Sequence, residues 1–522
     1  MKEKCNVFLL CIMLSFTAIA ANATQIWDGK TKEPWTKGSG TESDPYLIET
    51  PANLAYLAAQ VNLGNTYEDV YFLQTDDINL NSKSWPLIGA NSKAFAGCYD
   101  GGQKQVRNAT TYLFGLIQSA AIKNLTIAGE SPYAMIYRVQ GDVVLTNCHN
   151  NSTSDVKGGA GLVNIAENGN LTLLRCSNSA PIIGCYTTSA ASANTYCAGY
   201  MGGLVAKANK VIAKRCSNRA NIAMVTKHLY EPLYASGLIG YADYAIVEES
   251  NNNGTISISV GSTQYGGTAY ARKVYCAGIG TFKGTATCCY NMGSINAQTT
   301  SEARSCGIAC STGGGLSVSY CYSRGTSHIS IINTEGGYGY KYGIAYNATC
   351  SSCYFAGYFA NDDRLKGTYA IGNATNNECY CSSNCGTANK DGISNTSSNM
   401  MKVPSFVPQL NVNGDYFYPD YTNINDGYPI LRWQLEGVDF YTVKGLCREE
   451  QGTITGTGAY PKGAEIQLTA TPKDNFVFAG WSDGVTDNPR TIKVEGEATY
   501  AAQFERTSYT IYVNQDCSIT VE

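Results

Sequence analysis

Five cysteines between residues 350 and 385 have spacings at which thiolates could bind a metal. Cys350 and Cys353 form a Cys-x-x-Cys pair, and Cys379, Cys381 and Cys385 follow. Cys-x-x-Cys pairs are common among zinc ligands. The same residues could instead be buried in a packed core or form disulfides, and the place of Cys353 in a repeated column favours burial. We therefore expect no bound metal here.

Acidic residues that could act in catalysis are sparse in the middle of the chain. The doublets Glu248-Glu249 and Asp362-Asp363 are adjacent in sequence, so their side chains would leave a strand on opposite faces. Hydrolysis of a glycosidic bond needs two carboxyl groups that converge at about 5 to 9.5 Å. The three histidines of the chain are scattered, and none suggests a Cys–His nucleophile. The sequence predicts no catalytic residue and no cofactor.

Four tyrosines lie close together in a glycine-rich stretch, at Tyr338, Tyr340, Tyr342 and Tyr346. The first three alternate and would therefore share one face of a strand. Rows of aromatic rings with polar tips suit contact with a glycan or with a protein. Stacking of rings between neighbouring repeats is the structural alternative. We take these four tyrosines as the candidate binding residues.

The composition of the chain limits its partners and its fold class. In 522 residues, 37 Lys and Arg stand against 41 Asp and Glu, and charged residues make up only 15%. This balance provides no basic footprint for nucleic acid. The 54 glycines, the 38 tyrosines and the low charge favour short strands and turns over helices. We expect an all-β protein that does not bind nucleic acid.

The first 23 residues have the pattern of a secretory signal peptide. Lys2 and Lys4 precede a mostly apolar run from Val7 to Ala20, and small-x-small cleavage sites follow. The run is shorter than the about 20 residues that a spanning helix needs. No later segment is long and apolar enough to cross a membrane. We therefore expect an exported protein.

A short phrase recurs along the middle of the chain every 29 to 46 residues. A glycine and one or two apolar residues are followed by a short strand, a cysteine and polar turn residues. Periods of this size indicate a solenoid, in which each repeat buries a face on its neighbours. The phrase opens at Gly115-Leu116-Ile117, Gly161-Leu162-Val163, Gly203-Leu204-Val205, Gly237-Leu238-Ile239, Gly278-Ile279, Gly307-Ile308 and Gly343-Ile344.

The cysteines of these repeats occupy equivalent places. An apolar residue lies four positions before several of these places, as Val144 does before Cys148 and Ile212 before Cys216. Even spacing in a strand puts both side chains on one face, so we expect an inward column of cysteines. Asn and Gly after each cysteine are expected to turn the corner. The expected column is Cys148, Cys176, Cys216, Cys289, Cys321 and Cys353.

The repeated phrase resembles the GLUG motif. Residues 38–50, GSGTESDPYLIET, and residues 427–433, GYPILRW, resemble the opening and closing parts of GLUG proteins. These are bacterial surface or secreted proteins that include adhesins. The resemblance covers roughly residues 36–435. It implies a right-handed parallel β-helix, a secreted or outer-surface location, and recognition of an extracellular glycan or host protein without enzymatic activity. A polysaccharide lyase or glycosidase on the same fold, and a surface spacer, are the alternatives.

The last part of the chain has a different pattern. Ile466, Leu468 and Ala470 alternate with polar residues, as in a half-buried strand. The phrases at 456–463 and 478–484 resemble the divergent internalin-type B repeat, a small all-β module of bacterial surface proteins with a β-grasp-like shape. The resemblance implies that Trp481 is a core residue of such a module.

These patterns divide the chain into five segments. Thr50 as N-cap and Pro51 as first residue predict a short capping helix with an apolar stripe from Leu54 to Val61. The expected order is a signal peptide at 1–23, an N-terminal cap with the first coils at 24–100, a GLUG-type parallel β-helix at 101–436, a B-repeat module at 437–506, and the start of an incomplete second repeat or an edge strand at 507–522.

Overall fold

The structure is a computed structural model. It describes residues 25–186, 199–226, 232–260, 273–299, 302–331, 337–362, 364–372, 376–385, 394–507, 511–513 and 519–521. The expected signal peptide lies outside these ranges. Within them almost all regular structure is β, as the composition predicts. No helix in the described ranges is long and apolar enough to span a bilayer.

The N-terminal helix, α1 (Pro51–Leu63), begins where the sequence predicts. The Thr50 hydroxyl accepts a hydrogen bond from the Asn53 backbone N–H at 3.1 Å, and the Asn53 side chain accepts one from Thr50 N–H at 3.1 Å. This reciprocal cap satisfies N–H groups that a helix start leaves open. Gly64 ends the helix in the left-handed conformation, with φ 111°. The stripe from Leu54 to Val61 is buried in the main core.

Within the described ranges, twenty-nine short strands, all paired in parallel, form one main sheet. Successive repeats pair in register, so that Val205 lies between Val163 and Ile239. Pairing of this kind, coil after coil, confirms the parallel β-helix expected from the repeats. The strands of the main sheet are Gln25–Ile26, Tyr46–Ile48, Tyr71–Gln74, Ile78–Asn79, Ala94–Phe95, Cys98–Arg107, Phe114–Gln118, Ala121–Gly129, Ile136–Gln140, Val143–Thr146, His149–Ser152, Val163–Leu174, Ser177–Asn178, Val205–Lys214, Ser217–Asn218, Ile239–Glu248, Asn251–Asn252, Gly280–Thr281, Gly284–Thr287, Tyr290–Asn291, Ala309–Cys310, Leu316–Ser319, Tyr322–Ser323, Ala345–Tyr346, Ala348–Ser351, Tyr354–Phe355, Asn376–Asn377, Tyr380–Ser382 and Ser394–Thr396.

Two smaller parallel sheets form a wing beside the main sheet. They enclose a second hydrophobic core, to which Met224 of one sheet and Met201 of the other contribute, separate from the main core around Leu204. Wing sheet 1 consists of Ile182–Tyr186, Ile222–Thr226, Ile256–Val260, Ile295–Thr299 and Ser327–Ile331. Wing sheet 2 consists of Tyr200–Gly202, Leu233–Ser236, Val274–Ala277, Ala303–Cys306, Gly339–Tyr342 and Leu365–Tyr369.

The glycine of the repeated phrase lies where the two cores meet. A Cβ on Gly203 would come within 2.6 Å of the Asn218 side chain, and one on Gly237 within 2.3 Å of Asn252. Only glycine leaves room for these amides. The facing asparagines form what we call the amide column: Asn178, Asn218, Asn252 and Asn291.

The cysteine column points inward as expected, but the spacing argument for it was wrong. Cys148 is fully buried, whereas Val144, four residues earlier, is 39% exposed. The residue before each cysteine turns the corner in the left-handed conformation, as Arg215 does with φ 56°, and this breaks the alternation of the strand. The Asn that follows two positions after the cysteine is extended and belongs to the amide column, so it does not form the corner.

A segment that the sequence does not predict packs on the late coils. This clamp segment, residues 398–435, contains α2 (Ser398–Met401), α3 (Val407–Leu410), two 3-10 turns (Pro404–Phe406 and Arg432–Leu435) and an antiparallel pair, Phe417–Tyr418 with Ile430–Leu431. It shares a core with Tyr322 and Tyr354 of the main sheet. The Trp433 indole N–H donates to the Cys288 carbonyl at 2.9 Å.

The C-terminal module is all β, with its own core. Trp481 is 1% exposed in that core, as expected. Its strands are Phe440–Leu446, Gly452–Thr455, Gly458–Pro461, Glu465–Pro472, Phe476–Trp481, Arg490–Lys493 and Ala498–Arg506. Beyond them, Ile511–Val513 pairs antiparallel with Ile519–Val521.

Candidate functional site

The four candidate tyrosines come together on the outer side of wing sheet 2. Tyr340 and Tyr342 alternate with Lys341, which points inward, and Tyr338 lies just before the strand. The ring centroids of Tyr338 and Tyr340 are 5.6 Å apart, and those of Tyr340 and Tyr342 are 6.4 Å apart. Tyr346 joins from the main sheet, with its ring centroid 5.0 Å from that of Tyr342. The alternation of the sequence therefore predicts this cluster.

The aromatic row continues across the coils beyond the four predicted residues. The rings of Tyr200, Tyr234 and Tyr275 are stacked nearly parallel, with centroids 5.3 and 5.2 Å apart. Parallel pairing in register then places Arg304 and Tyr340 at the next two levels. We call the whole set the tyrosine face: Tyr200, Tyr234, Tyr275, Arg304, Tyr338, Tyr340, Tyr342, Tyr346 and Tyr369.

Many rings of this face stack on rings of neighbouring coils, which is the alternative to ligand binding that the sequence leaves open. Tyr342 stacks on Tyr369 at 5.2 Å and is only 3% exposed, and Tyr234 is 8% exposed. Tyr275 is 6% exposed, and the remaining members are half-buried. Because ring faces in the middle of a stack cover each other, the accessible parts are ring edges and hydroxyl groups. The face is therefore suited to polar contact along its length rather than to stacking of a ligand on every ring.

Burial and neighbouring charge keep three phenols of this face protonated. Burial raises the pKa of Tyr275 and Tyr342, and the carboxylate of Glu302 raises the pKa of Tyr338. The Tyr338 hydroxyl lies 3.3 Å from Glu302 Oε2 and donates to it. At neutral pH these hydroxyl groups remain neutral hydrogen-bond donors.

Positive side chains interleave with the rings. Arg304 donates to the Tyr275 hydroxyl at 3.1 Å, and its guanidinium lies 4.5 Å from the ring centroid of Tyr346. The ammonium group of Lys207 lies 4.9 Å from the ring centroid of Tyr200, and that of Lys366 lies 3.7 Å from the ring centroid of Tyr338. Cations over aromatic faces are stabilised by the ring quadrupole. Lys207 and Lys366 are exposed, so they are available to an anionic ligand.

A signal in the sequence could have found the rest of the tyrosine face. Tyr200, Tyr234, Tyr275, Arg304 and Tyr340 each lie three residues before the glycine of the repeated phrase. The repeated phrase is defined from that glycine onward, so it does not include the column that precedes the glycine. Because successive coils pair in register, a residue type that recurs at the same distance from the glycine forms a column along the sheet.

Three thiols of the cysteine column are made unreactive by their surroundings. Cys148, Cys216 and Cys321 are fully buried, and burial raises the pKa of each thiol well above its ordinary value. The Cys216 thiol donates to the Leu173 carbonyl at 3.5 Å. Buried thiols of this kind lack the thiolate character that reactivity requires.

The five cysteines with metal-like spacing are all buried in the main core: Cys350, Cys353, Cys379, Cys381 and Cys385. No group of three or more Cys, His, Asp or Glu side chains with the arrangement of a metal site occurs within the described ranges. A disulfide is present elsewhere, between Cys306 and Cys310, beneath the tyrosine face.

The described members of the acidic doublets do not form a pair of converging carboxylates. Glu248 pairs with Lys214 at 3.0 Å, and Glu249 pairs with Arg215 at 2.6 Å. Asp362 is buried and contacts Lys341 and His328, while Asp363 lies outside the described residues.

Comparison with known proteins adds two similarities. Residues 441–508 match the family model described as the Divergent InlB B-repeat domain, which agrees with the resemblance of the last segment. A solved structure from Bacteroides ovatus, described as a "putative immunoglobulin A1 protease", is 13% identical with a TM-score of 0.28. The alignment covers 76% of this chain and 95% of that one. No curated protein matches the chain.

Proposed function

We propose that this chain is an exported, non-enzymatic surface protein of the GLUG kind. In this proposal it is adhesin-like and recognises an extracellular glycan or a host protein through the outside of its β-helix. The observation that carries the proposal is the tyrosine face, where aromatic side chains with polar tips continue over successive coils. A B-repeat match at the end of the chain supports a location on a bacterial surface.

The chemistry of the face favours an acidic glycan over a neutral one. Protonated phenols can donate hydrogen bonds to carboxylate, sulfate or hydroxyl oxygens. Lys207 and Lys366 lie over ring faces at two places on the row, and Arg304 lies between them. Arg304 is already paired with Glu302, so a polymer with anionic groups at regular intervals would contact the exposed Lys207 and Lys366, and two simultaneous contacts raise its affinity without a deep pocket.

Glycan and matrix-protein arrays test the proposal. The full chain is compared with the double variant Tyr338→Ala/Tyr340→Ala and with Tyr358→Ala, which removes a 47% exposed tyrosine that lies off the tyrosine face. We expect wild-type binding to carboxylated or sulfated glycans, about tenfold weaker binding by the double variant, and no change for Tyr358→Ala.

Three outcomes would contradict the proposal. Equal binding by the double variant and by wild type would show that the binding site lies outside the tyrosine face. Absence of binding to every glycan and matrix protein would favour the spacer alternative. Shortening of the polysaccharide chains, read by size-exclusion chromatography, would make the protein an enzyme.

A further inference from the structure

A lysine is buried inside the wing, directly beneath the tyrosine face. The Lys341 side chain is 0% exposed, and the carboxyl group of Asp362, which it contacts through Oδ2, is 1% exposed. The Lys341 ammonium also donates to the Ala360 carbonyl at 2.6 Å. The two side chains are therefore buried in contact with each other.

Packing of the wing does not require this charged pair. The equivalent interior positions in preceding coils are occupied by Ala235, Cys276 and Ser305, which are small and uncharged. Burial of an ammonium and a carboxylate is unfavourable, and their mutual attraction offsets this only in part. A chemical step that removes both charges would relieve the cost.

Two further groups contact the carboxyl group of Asp362. The Ile329 backbone N–H donates to Oδ2 at 2.7 Å. The His328 ring lies on the other oxygen, with Nδ1 2.5 Å from Oδ1, and its side chain is 47% exposed. One oxygen thus faces a fixed hydrogen-bond donor, and the other faces a group that can exchange protons with solvent.

We propose that Lys341 and Asp362 condense to form an intramolecular isopeptide bond. A bond forms between Lys341 Nζ and Asp362 Cγ, and the bond from Cγ to Oδ1 breaks. The ammonium gives up two protons and the carboxylate one oxygen, which together leave as a water molecule. Charge balances because one positive and one negative group become a neutral amide, and no oxidant or reductant is needed.

Each neighbouring group has a role in this step. Burial lowers the pKa of the Lys341 ammonium, which favours the neutral amine that attacks. The Ile329 N–H stabilises the negative charge that develops on Oδ2. His328 receives the proton from nitrogen and delivers it to the leaving Oδ1. The Ala360 carbonyl holds Nζ in place.

The bond would fasten the late coils of the wing. It joins wing sheet 2, at Lys341, to the chain that follows the main-sheet strand Tyr354–Phe355. It thereby closes a covalent loop over residues 341–362. A surface protein under tension would gain a link that cannot open by unzipping of hydrogen bonds.

Peptide mapping of the wild-type chain tests the proposal directly. Trypsin normally cuts after Arg324, Lys341 and Arg364. If the isopeptide bond is present, cleavage at Lys341 is blocked, and residues 325–364 appear as one peptide lighter by one water molecule. Fragmentation should give few backbone ions between Lys341 and Asp362. A cyclic imide at Asp362 would also lose water, but it leaves Lys341 cleavable.

Matched controls separate the bond from other causes. Lys214 and Glu248 form a solvent-exposed pair at 3.0 Å, so cleavage at Lys214 in the same digest should be normal. Lys341→Arg keeps the charge but is not expected to form this amide, and its mass should equal that of the sequence. His328→Gln should form the cross-link about a hundredfold more slowly after refolding. Recovery of free peptides 325–341 and 342–364 at their sequence masses from wild type would overturn the proposal.

Discussion

At the scale of single residues, the amide column explains why asparagine recurs in this fold. Asn218 donates from Nδ2 to the Ala220 carbonyl at 2.8 Å and to Asn252 Oδ1 at 2.8 Å, and it accepts from Asn178 at 2.9 Å. The amide thereby satisfies its own groups and those of the next coil. In a buried amide ladder every amide group is hydrogen-bonded. These directional bonds define the alignment of neighbouring coils in addition to the packing of apolar side chains.

Replacement of Asn218 by alanine should therefore be costly. It leaves buried groups of Asn178, Ala220 and Asn252 without partners, and each such group costs about 1 to 3 kcal/mol. We expect the free energy of unfolding to fall by roughly 3 kcal/mol, measured by denaturant titration. Asn151→Ala, at an exposed strand position, should change it by less than about 0.5 kcal/mol. Equal effects of the two variants would mean that the column contributes no specific stability.

The buried thiols predict a loss of stability in alkaline solution. Burial raises the pKa of Cys276 and Cys288 from 9.0 to about 12 in the folded chain. Each thiol then ionises first in the unfolded chain, so its contribution to stability is complete below pH 9 and is lost as pH rises toward 12. The free energy of unfolding should fall by up to about 1.4 kcal/mol per pH unit for each thiol.

The double variant Cys276→Ala/Cys288→Ala isolates this effect. Its free energy of unfolding should decline less steeply than that of wild type between pH 9 and pH 11, because other alkaline groups act equally on both proteins. Titration curves that run parallel over this range would show that the two thiols ionise equally in the folded and unfolded chains.

At the scale of structural elements, the repeated phrase is a packing device at the junction of two cores. A Cβ on Gly203 would lie 2.0 Å from the Gly237 carbonyl oxygen and 2.6 Å from the Asn218 side chain. The Gly237 carbonyl accepts a hydrogen bond from Gly203 N–H at 3.1 Å and Asn218 belongs to the amide column, so neither can move without breaking a hydrogen bond. The glycine and the asparagine of a repeat therefore depend on each other.

Gly203→Ala should destabilise the β-helix by roughly 3 kcal/mol or more, since overpacking against backbone forces strands apart. Gly313→Ala is the matched control, because its Cβ would meet only the end of the Lys283 side chain, at 3.1 Å. Circular dichroism during thermal unfolding measures both. A Gly203→Ala protein as stable as wild type would show that the coil can widen at this point.

Several elements could be predicted from the sequence because their signals are local. The cap at Thr50, the period of the phrase and the alternation around Tyr340 depend on neighbouring residues alone. The corners could not be predicted, because Arg215 and Glu249 adopt the left-handed conformation although their residue types disfavour it. The wing was missed because its second core is defined by contacts between coils, which no single repeat encodes.

At the scale of the whole molecule, the clamp segment connects the β-helix to the C-terminal module. On one side, the Tyr354 hydroxyl donates to the Pro429 carbonyl at 2.5 Å within a shared core. On the other side, Tyr421 packs against the core of the module and its carbonyl accepts from Glu465 N–H at 3.1 Å. The contacts of the clamp segment on both sides therefore contribute to the position of the module relative to the coils.

Arg324 binds the clamp segment to the late coils, so replacement of Arg324 by alanine should weaken the packing of the clamp segment on them. Its guanidinium donates to the Asn425 carbonyl at 2.9 Å, pairs with Asp426 at 3.1 Å and lies 4.7 Å from the ring centroid of Tyr428. In Arg324→Ala, residues 398–435 should exchange amide hydrogens at least tenfold faster, corresponding to about 1.4 kcal/mol or more of lost local stability, while the coils stay protected. Arg219→Ala, at the equivalent but exposed position of an earlier coil, should leave exchange unchanged. Unchanged protection of residues 398–435 in Arg324→Ala would mean that the apolar contacts alone hold the clamp segment.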